Sequence, residues 1–518
     1  MNNAGQEDPL RKRYLYKLFP NLWGMVMGLI TMGMTPRALG PAAYGDYNYL
    51  TNFFFQIVSF FDMGTSIGFF AKISSRQKEP GLITFYFAFL LMLAVTVFLV
   101  LFATFFTSLN LLIWPGQTKI FILLAASFGI FTLVSQVLNK LTDAYALTVK
   151  AEMAKVIRVT IGTIFTVLLF MLNRLNLFTL FVLQLGILLV IIISFLLIIN
   201  EKVKIRDLIM FLPKRTIKGY IKEFYKYSHP ILAMALFGLV IGLFDRWLLQ
   251  YFAGSEQQGF YGLSYSIGAY CFLFTSAIQP LLMREFSISH GSGDHERMTS
   301  LFRKYIPLFY FITAYFSCFI AINADKVTSI VGGGQYQAAV VPIAIMAFYP
   351  IHQTYGQLSS SVLLATERTA LYRNIGITMM AIGLAFTYLF IAPARFMGLG
   401  LGAIGLAIKM VALQIVGVNV QLYFNSKIIN LNFWRYIAHQ LVVPAVLVAC
   451  AFAVRLLLGA LFSGKYLLLN FLASGVIYSI SVVLLVYCFP MIVGFKKQEV
   501  TSLLTEGRRR LAEIRYFR

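Results

Sequence analysis

Long apolar stretches recur along the whole chain, and their length constrains how it can fold. Residues 82–107, 157–172 and 177–199 carry almost no charge. An α-helix rises about 1.5 Å per residue, so a hydrocarbon core about 30 Å thick needs roughly 20 helical residues. The sequence therefore predicts an all-α membrane protein with about fourteen transmembrane helices. The predicted spans are 18–35, 47–71, 81–108, 119–139, 155–172, 177–199, 228–252, 260–283, 303–323, 338–364, 370–391, 400–424, 434–457 and 466–494.

The composition supports a membrane protein. Of the 518 residues, 59% are hydrophobic and 12% are charged, whereas a soluble domain has about 25% charged residues. The apolar stretches are continuous rather than alternating, which favours helices over a β-barrel. All four cysteines fall inside these stretches and are expected to be packing residues, not disulfides or metal ligands. They are Cys271, Cys318, Cys450 and Cys488.

The basic residues are distributed unequally between the two sides of the predicted bundle. About thirty-four lie on one side and eight on the other. Since cytoplasmic loops are enriched in Lys and Arg, the first side is predicted to be cytoplasmic. Both termini then lie in the cytoplasm, which requires an even number of spans. The same asymmetry accounts for the net charge of +23 without nucleic acid as a partner.

One long polar break divides the chain. Residues 200–226 carry eight basic residues, as expected of a segment that lies on an anionic leaflet surface. The predicted organisation is two pseudo-symmetric six-helix lobes followed by a C-terminal helix pair. The boundaries are 1–200 for the N-lobe, 201–227 for a basic cytoplasmic linker, 228–430 for the C-lobe, 431–495 for helices 13–14 and 496–518 for a basic cytoplasmic tail.

A short internal repeat supports the two lobes. Gly40 to Tyr47 and Gly254 to Tyr261 both read G-x4-G-x-Y, and the two copies are 214 residues apart. Each copy follows the first helix of its lobe on the predicted outer side. Matching turns in two helical halves are typical of an alternating-access carrier.

A few charged residues lie within the predicted spans, where each costs at least roughly 2.5–3.5 kcal/mol at the bilayer centre. Lys409 is near the middle of helix 12. It is either a cationic contact for an anionic ligand in a central cavity or a structural lysine paired with Asp62 or a helix carbonyl. Asp245 and Arg246 are either an interfacial pair that reaches water or a gate at the cavity rim, and Arg37 has the same two interpretations. For His352, a packing role is favoured over a proton relay.

The predicted sites follow from these residues. Arg37, Arg246 and Lys409 are the candidate substrate contacts, and Asp62, Asp245 and His352 are the candidate gating or ion-coupling residues. The sequence contains no phosphate-binding P-loop, no paired-cysteine metal motif and no nucleophile with a positioned base. We therefore expect a transporter rather than an enzyme, with no metal and no cofactor.

Five segments carry a resemblance to a known family. The stretch from Arg37 to Tyr47 resembles the R-x-L-G-P-x-x-Y-G-x-Y signature of the polysaccharide transporter family, the Wzx-type O-antigen flippases. This family belongs to the multidrug/oligosaccharidyl-lipid/polysaccharide exporter superfamily. The likeness extends over about residues 12–430. One departure is Phe260-Tyr261-Gly262, where the family more often has Y-S-x-A. The other similar segments are 61–64, 245–261, 323–336 and 399–407.

The resemblance implies a two-lobed bundle that works by alternating access. It implies transfer of an undecaprenyl-pyrophosphate-linked oligosaccharide, such as an O-antigen repeat unit, from the inner to the outer leaflet of the bacterial inner membrane. The expected partners are this lipid-linked glycan, membrane lipids, a polysaccharide polymerase and a chain-length regulator. A cavity with Lys409, Arg246 or Arg37 would favour the anionic pyrophosphate over a cationic drug.

Two other functions remain as alternatives. An ion-coupled multidrug exporter of the same fold would need an acidic residue deep in the first helices, and Asp62 is the only candidate nearby. A membrane-bound glycan ligase or polymerase would need a sizeable outer loop with catalytic groups. Every predicted outer loop is short, which disfavours the enzyme.

Overall fold

The computed structural model describes residues 10–62, 64–76, 79–204, 211–271, 278–461 and 467–494. These residues form α-helices, short 3₁₀ turns and loops, and no strand occurs among them. The predicted all-α membrane fold is confirmed. The predicted cytoplasmic tail, residues 496–518, lies outside the described residues.

The described residues contain seventeen α-helices, which we number in chain order. They are α1 (Leu10–Asp62), α2 (Thr65–Ser75), α3 (Pro80–Phe105), α4 (Leu109–Ile113), α5 (Lys119–Ala144), α6 (Thr148–Met171), α7 (Leu177–Asn200), α8 (Lys214–Cys271), α9 (Gln279–Gly291), α10 (His295–Ile322), α11 (Ala324–Val331), α12 (Val340–Met346), α13 (Tyr349–Ala365), α14 (Thr369–Ile391), α15 (Gly402–Ile428), α16 (Phe433–Leu461) and α17 (Leu467–Cys488).

The predicted count of fourteen spans is not confirmed. Among the described residues, ten helical segments are long and apolar enough to cross a bilayer. In the structure, α1 and α8 each run through two neighbouring predicted spans, and one predicted span is divided between two helices. Backbone breaks at Gly40 and Gly254 interrupt α1 and α8, and the predicted tenth span is divided between α12 and α13.

The first compact unit comprises residues 1–259 and 391–402. Within it, α1 packs on α5 and α6, and α7 packs on α5 and α6. Its core is rich in aromatic residues, with Phe53 and Phe54 against Trp114 and with Phe69 stacked on Tyr86 at 4.3 Å. Helices in lipid associate through van der Waals packing rather than through the hydrophobic effect, so the close contacts of these rings hold the helices of the unit together.

The second compact unit comprises residues 260–390 and 403–518. Within it, α10 packs on α13 and α16, α9 packs on α13, and α16 packs on α17. Tyr310, Tyr355 and Tyr478 are among its fully buried side chains. Helix α8 continues from the first unit into the second, and the division falls at Gly259 in the second copy of the repeat. The lobe boundaries proposed from the sequence stay a prediction.

The second half of the predicted basic linker is helical. Helix α8 begins at Lys214, well before the predicted span at residue 228. Tyr220 and Phe224 are buried and contact the ring of Phe85 at 5.3 and 5.8 Å between centroids. Because these two residues are four apart, they lie on one helix face and can pack together on α3 while the lysines face away.

Candidate functional site

Both copies of the G-x4-G-x-Y repeat break a long helix at their first glycine. Gly40 has φ 73° and ψ 170°, and Gly254 has φ 82° and ψ −178°. Residues with a Cβ atom rarely adopt this conformation, so glycine is required at both breaks. The matching geometry shows that the two copies are equivalent in structure as well as in sequence.

The two copies contact each other through their backbones. A Cβ atom on Gly45 would lie 1.8 Å from the carbonyl oxygen of Ser255, and one on Gly259 would lie 2.0 Å from that of Pro41. Pro41 is equivalent to Ser255 in the repeat, and Gly45 is equivalent to Gly259. The contact is therefore reciprocal. We call these four residues the outer junction, since both copies lie on the predicted outer side.

Polar side chains surround the outer junction. The Asp46 carboxylate accepts hydrogen bonds from the Ser255 hydroxyl and from Nε2 of Gln117. Gln250 Nε2 donates to Ser255 Oγ at 3.0 Å and to the carbonyl oxygen of Pro115 at 3.1 Å. These bonds join α1, the segment before α5, and α8, so the closed junction is held by a hydrogen-bonded network as well as by close packing.

The glycine-rich segment before α15 also reaches this region. Phe396 lies 5.6 Å from Phe252 between ring centroids. A Cβ atom on Gly402 would lie 2.7 Å from Oε1 of Gln257, and Gly402 itself has a φ of 55°. The first unit thus brings together parts of three segments that carry the family resemblance: residues 40–47, 254–259 and 399–402.

The predicted pair Asp245 and Arg246 lies near the outer junction on α8. Nη1 of Arg246 donates to Oε1 of Gln258 at 3.2 Å, and Nε2 of Gln258 donates back to the carbonyl oxygen of Arg246. Gln258 is 0% exposed. Arg246 is half-buried, and Arg37 is exposed three residues before the break in α1. The guanidinium of Arg246 is thereby positioned by a buried glutamine next to the second repeat copy.

Asp62 caps an interrupted helix. Helix α1 ends at Asp62 and α2 begins at Thr65. The carboxylate accepts bonds from the Ser66 backbone N–H at 3.0 Å and the Ser66 hydroxyl at 2.7 Å. The hydroxyls of Thr65 and Tyr86 each donate to Oδ1 at 3.2 Å. The carboxylate thus satisfies one free N–H group at the start of α2, and the helix dipole favours its negative charge there.

Lys140 completes the surroundings of Asp62. Its Nζ donates to the hydroxyl of Ser66, which in turn donates to Asp62. The serine therefore links a half-buried ammonium to a half-buried carboxylate. Sequence reasoning did not identify Lys140 as a partner, because residue 140 is far from residue 62 in the chain and no local pattern relates them.

Lys409 and His352 both lie in the second unit. Lys409 is 4% exposed in α15, and a Cβ atom on Gly383 would lie 3.4 Å from its Cε. His352 is buried in α13, with its ring 6.0 Å from that of Tyr310. Its Nδ1 has no hydrogen-bond partner among the described residues. No cluster of three or more His, Cys, Asp or Glu side chains that could hold a metal occurs in the described part of the chain.

The chain matches one protein-family model. Residues 10–286 match the family described as polysaccharide biosynthesis protein, which is more than half of the chain. The match includes both repeat copies, Asp62 and the Asp245–Arg246 pair, and it ends before His352 and Lys409. No curated protein sequence matches the chain at a significant level.

Solved structures share the fold at low sequence identity. The lipid II flippase MurJ in an inward closed conformation has a TM-score of 0.65 at 13% identity, covering 92% of this chain and 98% of its own. A multidrug resistance MATE family transporter of the MOP superfamily has a TM-score of 0.56 in its inward-facing conformation, at 15% identity, covering 82% and 96%. An outward-facing MATE structure has a TM-score of 0.52 at 17% identity, covering 82% and 97%.

Proposed function

The chain belongs to the polysaccharide biosynthesis protein family, and on that premise we propose that it is a flippase for a lipid-linked oligosaccharide. The proposed substrate is an undecaprenyl-pyrophosphate-linked repeat unit of a surface polysaccharide, such as O-antigen. The proposed reaction is transfer from the inner to the outer leaflet of the bacterial inner membrane, with both termini in the cytoplasm. Polymerase and chain-length regulator are the proposed downstream partners.

The observation that carries this proposal is the reciprocal contact at the outer junction. Two equivalent turns meet backbone to backbone and are joined by Asp46, Ser255 and Gln117. In an alternating-access cycle, one end of the pathway closes while the other opens. A contact that relates the two repeat copies on the predicted outer side is suited to be the outer gate, because breaking one set of hydrogen bonds would separate both turns.

The charged residues have distinct roles in this proposal. Lys409, Arg246 and Arg37 would contact the pyrophosphate, since a diphosphate is best stabilised by charge-assisted hydrogen bonds. Asp245, next to the junction, would belong to the gate. Asp62 and His352 would couple ion binding to transport. The lipid chain would remain in the bilayer, because polyprenyl groups gain nothing by leaving hydrocarbon.

A disulfide across the outer junction tests the gate. The change is Asp46→Cys with Ser255→Cys in a variant whose four native cysteines are replaced. These two side chains are hydrogen-bonded, so oxidation should join them. We expect oxidation to stop the arrival of lipid-linked glycan at the outer leaflet and a reductant to restore it.

The two single-cysteine variants are the matched controls for this experiment, since each loses the Asp46–Ser255 hydrogen bond but cannot form the bridge. Their transport should be insensitive to the oxidant. Undiminished glycan arrival with the bridge fully formed would exclude the junction as a moving gate.

The multidrug exporter is the second candidate function. The MATE structures support it only through the fold. Asp62 is the carboxylate that such an exporter would use, and its oxygens already accept bonds from Ser66, Thr65 and Tyr86. A deletion strain separates the two functions: loss of surface polysaccharide supports the flippase, and drug hypersensitivity with intact polysaccharide supports the exporter.

A further inference from the structure

A large cavity lies within the second unit, at the end that the charge distribution predicts to be cytoplasmic. Its volume is about 1340 Å³. It is bounded by the start of α10, the end of α15, the start of α16 and the turn after α17. A cavity of this size can hold the headgroup of a lipid, since pockets for small ligands have volumes of roughly 300–1,000 Å³.

The polar side of the cavity is cationic. Arg303, Lys304 and Arg435 line it, and Glu296 is its single carboxylate among the described residues. None of the three cations is within ion-pair distance of a carboxylate in the described part of the chain, although Lys304 lies over the ring of Tyr305 at 5.6 Å. The cavity therefore presents more positive than negative charge to an occupant, as a phosphate site does.

The opposite side of the cavity is apolar. Pro307, Phe489 and Met491 line it, and Phe489 and Met491 are 63% and 71% exposed. Large apolar side chains with this exposure are suited to contact acyl chains at the membrane boundary. A molecule that satisfies both sides has an anionic head and a hydrocarbon body.

We propose that this cavity binds the phosphate of an anionic membrane phospholipid, such as phosphatidylglycerol, as a resident lipid of the cytoplasmic leaflet. Arg303 and Arg435 hold the phosphate, and Phe489 and Met491 contact the first part of the acyl chains. Basic pockets between helices on the cytoplasmic side are a recurrent way to bind anionic headgroups. The proposal does not depend on the transported substrate, because the lipid stays in its own leaflet.

Competition between two lipids tests the proposal. The full-length protein is equilibrated with phosphatidylglycerol and phosphatidylcholine of equal acyl composition, and bound lipids are counted by native mass spectrometry. We expect the wild type to prefer phosphatidylglycerol. Arg303→Gln with Arg435→Gln should lower that preference by about fivefold for each charge removed. Arg303→Lys with Arg435→Lys should keep most of it, which separates lost charge from a folding defect.

Arg368→Gln with Arg373→Gln is the matched control. Both arginines are exposed in the same unit, on the same predicted side, and outside the cavity. The control should retain the wild-type preference. The lipid site would be overturned if the control lost the preference for phosphatidylglycerol equally or if the wild type showed no preference. It would also be overturned if millimolar inorganic phosphate abolished the preference of the wild type.

Discussion

The carbonyl oxygen of Ser255 occupies the space that a side chain on Gly45 would need, at 1.8 Å from the ideal Cβ position. Gly259 and Pro41 stand in the same relation at 2.0 Å, in the equivalent positions of the repeat. A contact this close between two backbones is possible only with glycine on one side. The two copies of the repeat thus fit each other reciprocally, which supports a role in closing the outer end.

A methyl group at either glycine should open the outer junction. Gly45→Ala and Gly259→Ala each place a Cβ atom against a backbone carbonyl that cannot move alone, and we expect closure to become less favourable by about 1–3 kcal/mol. Labelling of a cysteine at position 255 by an impermeant maleimide from outside should increase accordingly. Gly33→Ala is the control, since nothing lies within 4 Å of its Cβ position in the same helix. Equal labelling of all three variants would contradict the prediction.

Asp62 and Lys140 should be energetically coupled through Ser66. Asp62→Asn keeps an oxygen for the cap at Ser66 N–H but removes the charge, and Lys140→Met removes the ammonium that bonds the Ser66 hydroxyl. Because each single change leaves the other charge half-buried, the double variant should be more stable than the sum of the two changes predicts, by about 0.5–3 kcal/mol.

Unfolding free energies of the four proteins in detergent measure this coupling. Lys150→Met is the control for Lys140→Met, because Lys150 is an exposed lysine that pairs with Glu201 instead. Its effect should add to that of Asp62→Asn. If the changes in unfolding free energy caused by Lys140→Met and Asp62→Asn also add, the serine transmits no coupling between the two charges.

The helices were predictable because their signal is local. Apolar stretches of bilayer length and the repeated glycines are visible in the sequence without any knowledge of contacts. The polar network at the outer junction was not predictable, although Asp46 lies in the quoted motif. Its partners Ser255 and Gln117 are 209 and 71 residues away, and a serine or glutamine in a loop carries no distinctive pattern.

The start of α8 makes a contact that the sequence analysis did not predict. Its density of lysines indicated a surface linker, but Tyr220 and Phe224 give the segment one apolar face that packs on α3. The linker was predicted from the number of basic residues in the segment, and the spacing of its two aromatic residues was not considered. Two aromatic residues four positions apart lie on one helix face and are sufficient to anchor a basic helix.

Acid should weaken the anchor of that helix. Glu223 accepts hydrogen bonds from Lys72 and Arg76, and the bond from Lys72 foremost holds the pKa of the Glu223 carboxyl below its usual 4.5. A carboxyl with a lowered pKa in the folded protein contributes stability that is complete above 4.5 and is lost as the pH falls below it. The wild type should therefore unfold at a higher temperature than Glu223→Gln at pH 7, and this difference should shrink toward pH 4 and below.

Glu201→Gln is the control for this measurement, since the pair of Glu201 with Lys150 is about half exposed and exposed pairs contribute little. Its unfolding temperature should stay close to that of the wild type at pH 7. A difference between wild type and Glu223→Gln that does not change with pH would assign the effect of the substitution to packing.

Substitution of Lys409 tests whether this buried lysine contacts the substrate or only stabilises the fold. Lys409→Met keeps the length and the packing of the side chain at a position that is 4% exposed, but it removes the charge. If Lys409 contacts the pyrophosphate, this variant should fold normally and transfer lipid-linked glycan at least about tenfold more slowly, as expected for one lost charge-assisted hydrogen bond. Lys427→Met, at the exposed end of the same helix, should transport normally. If Lys409 is purely structural, the methionine variant should transport at the wild-type rate per folded molecule and lose stability, because the group that the ammonium contacts is left without its charged partner.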